Sequence, residues 1–244
     1  MFNKYKKNFF SQNGEDGVIL ELFKKLKLKK KIIWCCEFGA WDGIHGSNTF
    51  NLVKKYSSNA VYIEGDKNRF KDLLKTKNNH PKIVAFNFYV NWKTNSINSL
   101  DRILKKTKIT KNFEILSIDI DSYDLDVWKS LKYYRPKIVI IEINSGIKPG
   151  ILQTHTKINR GNSFTSTTNY AKKIGYELVC HTGNCIFVKK KYLKKLKINS
   201  IYIKRPELLF DQTWLFKKEY KLKKYFVKYL PNLMLDFLRK IKNK

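Results

Sequence analysis

Up to residue 190 the chain alternates between short, dense apolar runs and stretches whose apolar positions recur at helical spacing. The runs at 32–38, 60–63, 82–90 and 137–143 are densely apolar, as buried parallel strands are, and in 115–120 apolar 116, 118 and 120 alternate with 117 and 119. Between them, Val18, Ile19, Leu22, Phe23 and Leu26, then Phe50, Leu52, Val53 and Tyr56, keep helical rhythm, and helices are also predicted near 69–75, 99–106, 125–131 and 168–174. Finally 175–180 and 184–188 flank His181-Thr182-Gly183 and read as an antiparallel hairpin. Strand and helix in alternation predict an α/β fold with a mostly parallel sheet, closed by that hairpin.

The polar residues at the strand ends carry the candidate chemistry. The first run ends Glu37-Phe38-Gly39-Ala40-Trp41-Asp42-Gly43, a tight turn where glycine permits close backbone approach and the following helix start offers free amides. The second ends in Glu64-Gly65-Asp66, at the spacing where a carboxylate takes ribose hydroxyls in βαβ nucleotide folds. In Ile115-Leu116-Ser117-Ile118-Asp119-Ile120-Asp121, alternation puts Asp119 and Asp121 on one side of a strand end. They suit a general base, a hard-metal site for Mg²⁺ or Mn²⁺, or, for Asp121 and Ser122, a cap on the next helix. The fifth run delivers Glu142 and Asn144 to the same edge, and the polar loop 146–167, with His155 and Arg160, is long enough to be a lid or substrate loop. His155 reads either as a base or as an exposed bystander.

The motifs Ser11-Gln12-Asn13-Gly14-Glu15-Asp16-Gly17, Glu37-Phe38-Gly39-Ala40-Trp41-Asp42-Gly43 with Ser47-Asn48-Thr49, and Tyr62-Ile63-Glu64-Gly65-Asp66, in that order, resemble the FkbM-like class I S-adenosylmethionine-dependent methyltransferases. The resemblance covers residues 9–190 and implies a Rossmann-like fold, S-adenosylmethionine as cofactor, and O-methylation of a sugar or other small polar acceptor. It implies that Glu37, Gly39, Ala40, Asp42 and Gly43 hold the methionine end and Glu64 with Gly65 the ribose. By the same resemblance Tyr89 and Val90 lie at the adenine, Gln12 and Asn48 border the cofactor, and Asp119, Asp121, Glu142 and Asn144 border the acceptor; His155 and Arg160 are acceptor candidates from the long loop. Ser47-Asn48-Thr49 and the acids Glu15 and Asp16 also read as helix caps. One departure is plain: Trp41 stands where the family's loop has its second glycine.

With 50 Lys and Arg against 20 Asp and Glu, the chain carries a net +30, which attracts polyanions, acidic lipid and phosphorylated molecules; the lysines are dispersed, as on a generic solvated surface. No RNA-recognition, KH or zinc-finger pattern accompanies that charge, so no specific nucleic-acid partner is expected, and a nucleic-acid-directed role remains a rival reading. A second rival is a metal-dependent GT-A-like glycosyltransferase, from Asp119-Ile120-Asp121. Four cysteines show no metal spacing and fit small core residues in a reducing cytoplasm. Neither a signal peptide nor a membrane span is legible, which predicts a cytoplasmic protein, soluble or peripheral. The methyltransferase domain is assigned to 1–200. Residues 201–244 form a basic extension in which Leu222, Tyr225, Phe226, Tyr229, Leu230, Leu233, Met234, Phe237, Leu238 and Ile241 predict an amphipathic helix, broken or kinked at Pro231. It would pack on the domain or a partner, or lie on an anionic membrane.

Overall fold

The computed structural model describes residues 2–28 and 33–215. In chain order it has α1 (Glu15–Leu26), β1 (Trp34–Phe38), α2 (Phe50–Tyr56), β2 (Asn59–Ile63), α3 (Lys67–Asn79), β3 (Ile83–Phe86) and α4 (Leu100–Leu104). Then come β4 (Ile115–Ile118), α5 (Asp124–Ser130), β5 (Ile138–Glu142), α6 (Phe164–Lys173), β6 (Tyr176–His181), β7 (Asn184–Lys189), α7 (Leu193–Leu196) and α8 (Ser200–Lys204). The strands form one sheet in the order β3-β2-β1-β4-β5-β7-β6, in which β7 alone runs against its neighbours. This is the Rossmann-like class I methyltransferase fold.

The two-sided burial that the apolar runs predicted is visible residue by residue. Cys36, Phe38, Leu116, Ile118, Val139 and Ile141 face one core with Trp128 of α5 and Phe164 of α6. Cys35, Ala60, Tyr62, Ile115, Ile138 and Ile140 face the other, with Val18, Leu22 and Phe23 of α1, Leu52 of α2 and Leu73 of α3. Each Val, Leu, Ile or Phe among them contributes about 1.5–3 kcal/mol by leaving water, so register is strongly specified. All four cysteines are free and buried, as small core residues.

Strand order reverses between β1 and β4, which leaves a crevice beyond their carboxyl ends. The sheet is tightest there. Gly39, at φ +76°, lies so close to β4 that a Cβ would sit 1.7 Å from the Asp119 carbonyl oxygen.

Some boundaries differ from expectation. The third strand stops at Phe86 instead of reaching 90, because the chain turns out over Gly65, against which the Tyr89 ring packs. Helix α6 starts at Phe164, four residues before the predicted Thr168, because the Ser163 side chain accepts the Ser166 amide and caps it there. Strand β4 ends at Ile118, so strand alternation does not extend to Asp119 and Asp121.

Residues 201–215, assigned to the extension, pack on the domain. Leu209 is 2% exposed in the first core. Phe210 stacks on His181 (5.1 Å between centroids, 6° between planes), Asp211 pairs with Lys6 at 2.6 Å, and the Gln212 amide donates to the Ser145 carbonyl at 2.6 Å. His181 accepts the Asp211 amide on Nδ1 (2.9 Å) and meets Ser145 Oγ through Nε2 (3.1 Å). Burial holds its ring down to about 4, so it is the neutral imidazole that clips this strap to the hairpin. The amphipathic stretch 222–241 lies outside the described residues. Among the described residues no helix is long and apolar enough to cross a membrane.

Candidate functional site

The loop after β1 is folded around its own acids. Glu37 is 4% exposed and accepts Ser47 Oγ (2.7 Å), Thr49 Oγ1 (2.6 Å) and the Asn48 and Thr49 amides (3.1 and 3.2 Å). Its carboxylate thereby closes the loop onto the start of α2, and Thr49 passes the network to the Tyr62 hydroxyl at 3.0 Å. Burial raises its proton affinity, against these donors. Asn48 reaches across to Ser117 Oγ at 3.0 Å. Ser47 Oγ also accepts the Phe50 amide at 3.0 Å, so the segment braces the start of α2, while Asn48 lines an inner hollow.

Asp42 and Gly43 stand outside the cavity lining. Asp42 accepts the Ile44 and His45 amides (both 2.8 Å) and the His45 ring, and although burial works the other way these bonds hold it below the usual carboxylate range. Gly43, at φ +77°, is packed against Leu73 and Tyr62. Trp41 keeps the path of the glycine it replaces: its φ is +48°, a left-handed conformation costly for a side chain. Its amide donates to Glu64 at 2.7 Å, and its ring, 47% exposed, lies 5.5 Å from the Arg69 guanidinium. Glu64 also accepts the Asp66 amide at 2.8 Å, and Asn87 donates to the Glu64 and Gly65 carbonyls, fixing the end of β2.

The N-terminal segment closes the cleft from above. Asp16 accepts three consecutive amides, Phe9, Phe10 and Ser11, at 2.7–2.8 Å, while Glu15 accepts the Asn13 amide (2.8 Å) and Thr182 Oγ1 (2.5 Å). These bonds set the turn that carries Gln12 over Gly46, whose missing Cβ leaves room for the amide.

Two adjoining cavities result. The larger, about 610 Å³, runs over the ends of β1, β2 and β3; its lining includes Gln12, Glu37, Gly39, Ala40, Trp41, Gly46, Glu64, Gly65, Asp66, Arg69, Phe88, Tyr89, Val90 and the 119–122 turn. The smaller, an inner hollow of about 270 Å³, is lined by Gln12, Asn13, Glu15, Gly46, Asn48, Asp119, Asp121, Glu142, Gly183, Asn184 and Trp214. Gln12, Gly46, Asp119 and Asp121 belong to both. An outer hollow of about 420 Å³ shares Asp121, Glu142 and Trp214 and adds Asn144, Arg160 and Asn162.

Asp119 and Asp121 reach this junction by a turn, with Asp121 at φ +56°. Helix α5 is held by Asp124, which accepts the Ile120 and Ser122 amides at 2.9 Å; Asp121 and Ser122 are not its cap. Burial, and then the neighbouring Asp124 and Asp121, push Asp119 well above the carboxylate range. Glu142 is raised in the same way, by burial and then by Asp119 and Asp121, and it shares a hydrogen bond with Asp121. Burial lifts Asp124 to about 6 despite its two amides.

Of the acceptor candidates, Asn144 and Arg160 line the outer hollow; the His155 ring lies 4.5 Å from that of Tyr123 at a tilt of 59° and accepts the Gly161 amide, outside the three cavity linings. Among the described residues no group of three or more His, Cys, Asp or Glu is arranged to hold an ion.

Asn162 and Trp214 were not foreseen. Asn162 sits in a polar loop with no local signature, and Trp214 is delivered by the strap, a contact between distant parts of the chain. Asp124 was legible in principle, as an acid in the first turn of a helix whose preceding amides need an acceptor.

No protein-family model matches the chain, and no curated protein matches it. Solved structures follow a similar path at low identity. A Galdieria sulphuraria protein described as a sarcosine dimethylglycine methyltransferase is 12% identical, with 67% of this chain and 62% of that one covered and a TM-score of 0.45. The N-terminal domain of EvdMO1, solved with S-adenosylhomocysteine and D-fucose, is 10% identical over 72% and 82% with a TM-score of 0.46. M. capricolum TrmK, solved with S-adenosylhomocysteine, is 15% identical over 91% and 93% with a TM-score of 0.41. This chain thus spans less than two thirds of the Galdieria protein. Likenesses this distant say nothing of what this chain binds or methylates.

Proposed function

We propose that this chain transfers a methyl group from S-adenosylmethionine to a hydroxyl oxygen of a sugar or other small polar metabolite. The observation that carries the reading is the position of Asp119, which lines both the larger cleft and the inner hollow, at the junction where donor and acceptor would meet. The cleft fits the cofactor in size and in donor set. Glu64 offers carboxylate oxygens to a ribose diol, Phe88, Tyr89 and Val90 offer an apolar wall to a base, and Gln12, Gly39 and Ala40 border the opposite end. The motif order shared with the FkbM-like enzymes supports the same assignment.

The cofactor, when bound, supplies a methyl group on a positive sulfur, and the chain's part is positioning and proton transfer. The acceptor oxygen forms its bond to the methyl carbon as the carbon–sulfur bond breaks, with the electron pair going to sulfur and the hydroxyl proton to a carboxylate. Asp119 suits that proton in its ionised form, because burial and its acidic neighbours raise its affinity into the range of a base that works near neutral pH. Incubation with methyl-labelled S-adenosylmethionine and a panel of sugars and polyols should give labelled methyl ether and S-adenosylhomocysteine, and Asp119→Asn should lower that rate by about 10²–10⁴-fold. Full turnover in the variant, or no transfer to any acceptor by the wild type, would contradict the reading.

A further inference from the structure

Among the described residues, five other than glycine hold a left-handed backbone: Lys27, Trp41, Ser57, Asp121 and Lys197. Lys27, Ser57 and Lys197 each follow the last residue of a helix, where that conformation caps the carboxyl end. Trp41 and Asp121 follow no helix, and both line the larger cleft. Backbone strain that ends no helix collects at ligand sites, so the outlier points to a role.

The loop itself has no need of an indole at 41. Glycine would give Glu64 the same backbone amide, without the cost of a side chain at φ +48°. The ring joins neither hydrophobic core. It stands 47% exposed beside two other groups of the cleft wall, the Arg69 guanidinium at 5.5 Å and the His45 ring at 6.2 Å. Arg69 belongs to the corner after β2, where its amide and that of Asn68 close on Asp66. The other exposed ring of that corner is Tyr89, 72% exposed and packed against Gly65. Two aromatic rings with surface to spare thus adjoin Glu64, the carboxylate assigned to the ribose.

Resting on the methyltransferase reading, we propose that the Trp41 indole is a cofactor contact: it covers the ribose and base of S-adenosylmethionine from the β1 side, with Arg69 bracing its ring. A flat nucleoside withdraws the exposed indole from water and gains stacking, which a glycine at this place could not supply. The left-handed tryptophan then strengthens binding and weakens the fold.

Calorimetry and thermal denaturation of Trp41→Gly, on the full chain, test this with S-adenosylhomocysteine and with 5′-methylthioadenosine, which keeps the nucleoside and lacks the amino acid. Both ligands should lose affinity by the same factor, about 5–100-fold, while the unfolding temperature of the free protein holds or rises by up to about 4 °C. In Trp41→Phe most of the change in indole emission on S-adenosylhomocysteine binding should vanish. Unchanged affinity for S-adenosylhomocysteine in Trp41→Gly, or an emission change that Trp41→Phe leaves intact, overturns the inference and leaves the methyltransferase reading standing. So does a loss confined to S-adenosylhomocysteine, which would put the indole at the amino-acid end. A fall in unfolding temperature would make Trp41 a prop of the loop, and overturns the inference too. If the wild type binds neither ligand, the methyltransferase reading fails and this inference with it.

Discussion

At the ends of β1 and β2, Glu37, Asp42 and Asp66 each close on backbone amides, whereas at the ends of β4 and β5, among the described residues, neither Asp119 nor Glu142 accepts one; Glu64 does both, accepting the Trp41 and Asp66 amides while it lines the larger cleft. Amide bonds, those from Arg69 and Asn68, hold Asp66 below the usual range, and the loop does the same for Asp42; burial and mutual repulsion hold Asp119 and Glu142 above it. The first group shapes the chain, and the second is left to a ligand or a proton. An acid's position at a strand end therefore does not by itself make it a ligand; what decides is whether, once the loop has taken its share, the carboxylate still faces the cavity with acceptor capacity to spare, as Glu64 does with one amide on each oxygen.

If that division is correct, the largest stability effect falls where the two regions touch. Gly39→Ala places a Cβ against the Asp119 carbonyl at a positive φ. It should cost more than about 3 kcal/mol, a fall in unfolding temperature of roughly 6–12 °C in thermal denaturation. A fall under 2 °C would show that the junction is loose.

A smaller effect reads the hollow alone. Asp119 and Glu142 keep protons in the folded state that the unfolded chain releases near pH 4. Their penalty is absent below that pH, grows as pH rises through neutral, and levels off once the folded groups ionise. Asp119→Asn removes one such group, so the variant should gain stability over the wild type as pH rises from 5 to 9, by about 1.4 kcal/mol for each tenfold difference in proton affinity. A gap that is flat with pH, or that favours the wild type increasingly at high pH, would mean that Asp119 is not held protonated.

The strands facing both cores were legible because burial on two sides leaves no polar positions in Trp34–Cys36, Val61–Ile63 or Ile138–Ile141. The hairpin was legible from Gly183 between two apolar runs. Strand ends were less so, since alternation in the sequence continues past Ile118 although the ladder stops there and Asp121 turns left-handed. For the site, the sequence displays carboxylates without their partners. Glu37 and Asp42 therefore read like Glu64 until the amides of 44–49 are seen around them. Trp214 depends on His181 and Ser145 meeting a strap from the far end of the described chain, and no local pattern encodes that.

The central claim is that Glu64 belongs to the cofactor and Asp119 to the acceptor. Calorimetry of S-adenosylhomocysteine binding to Glu64→Ala and Asp119→Asn, each checked for native circular dichroism, separates the two. Loss of a charge-assisted ribose contact should weaken Glu64→Ala by about 10–100-fold, while Asp119→Asn stays within about threefold of the wild type. Unchanged affinity in Glu64→Ala, or a larger loss in Asp119→Asn than in Glu64→Ala, would contradict it.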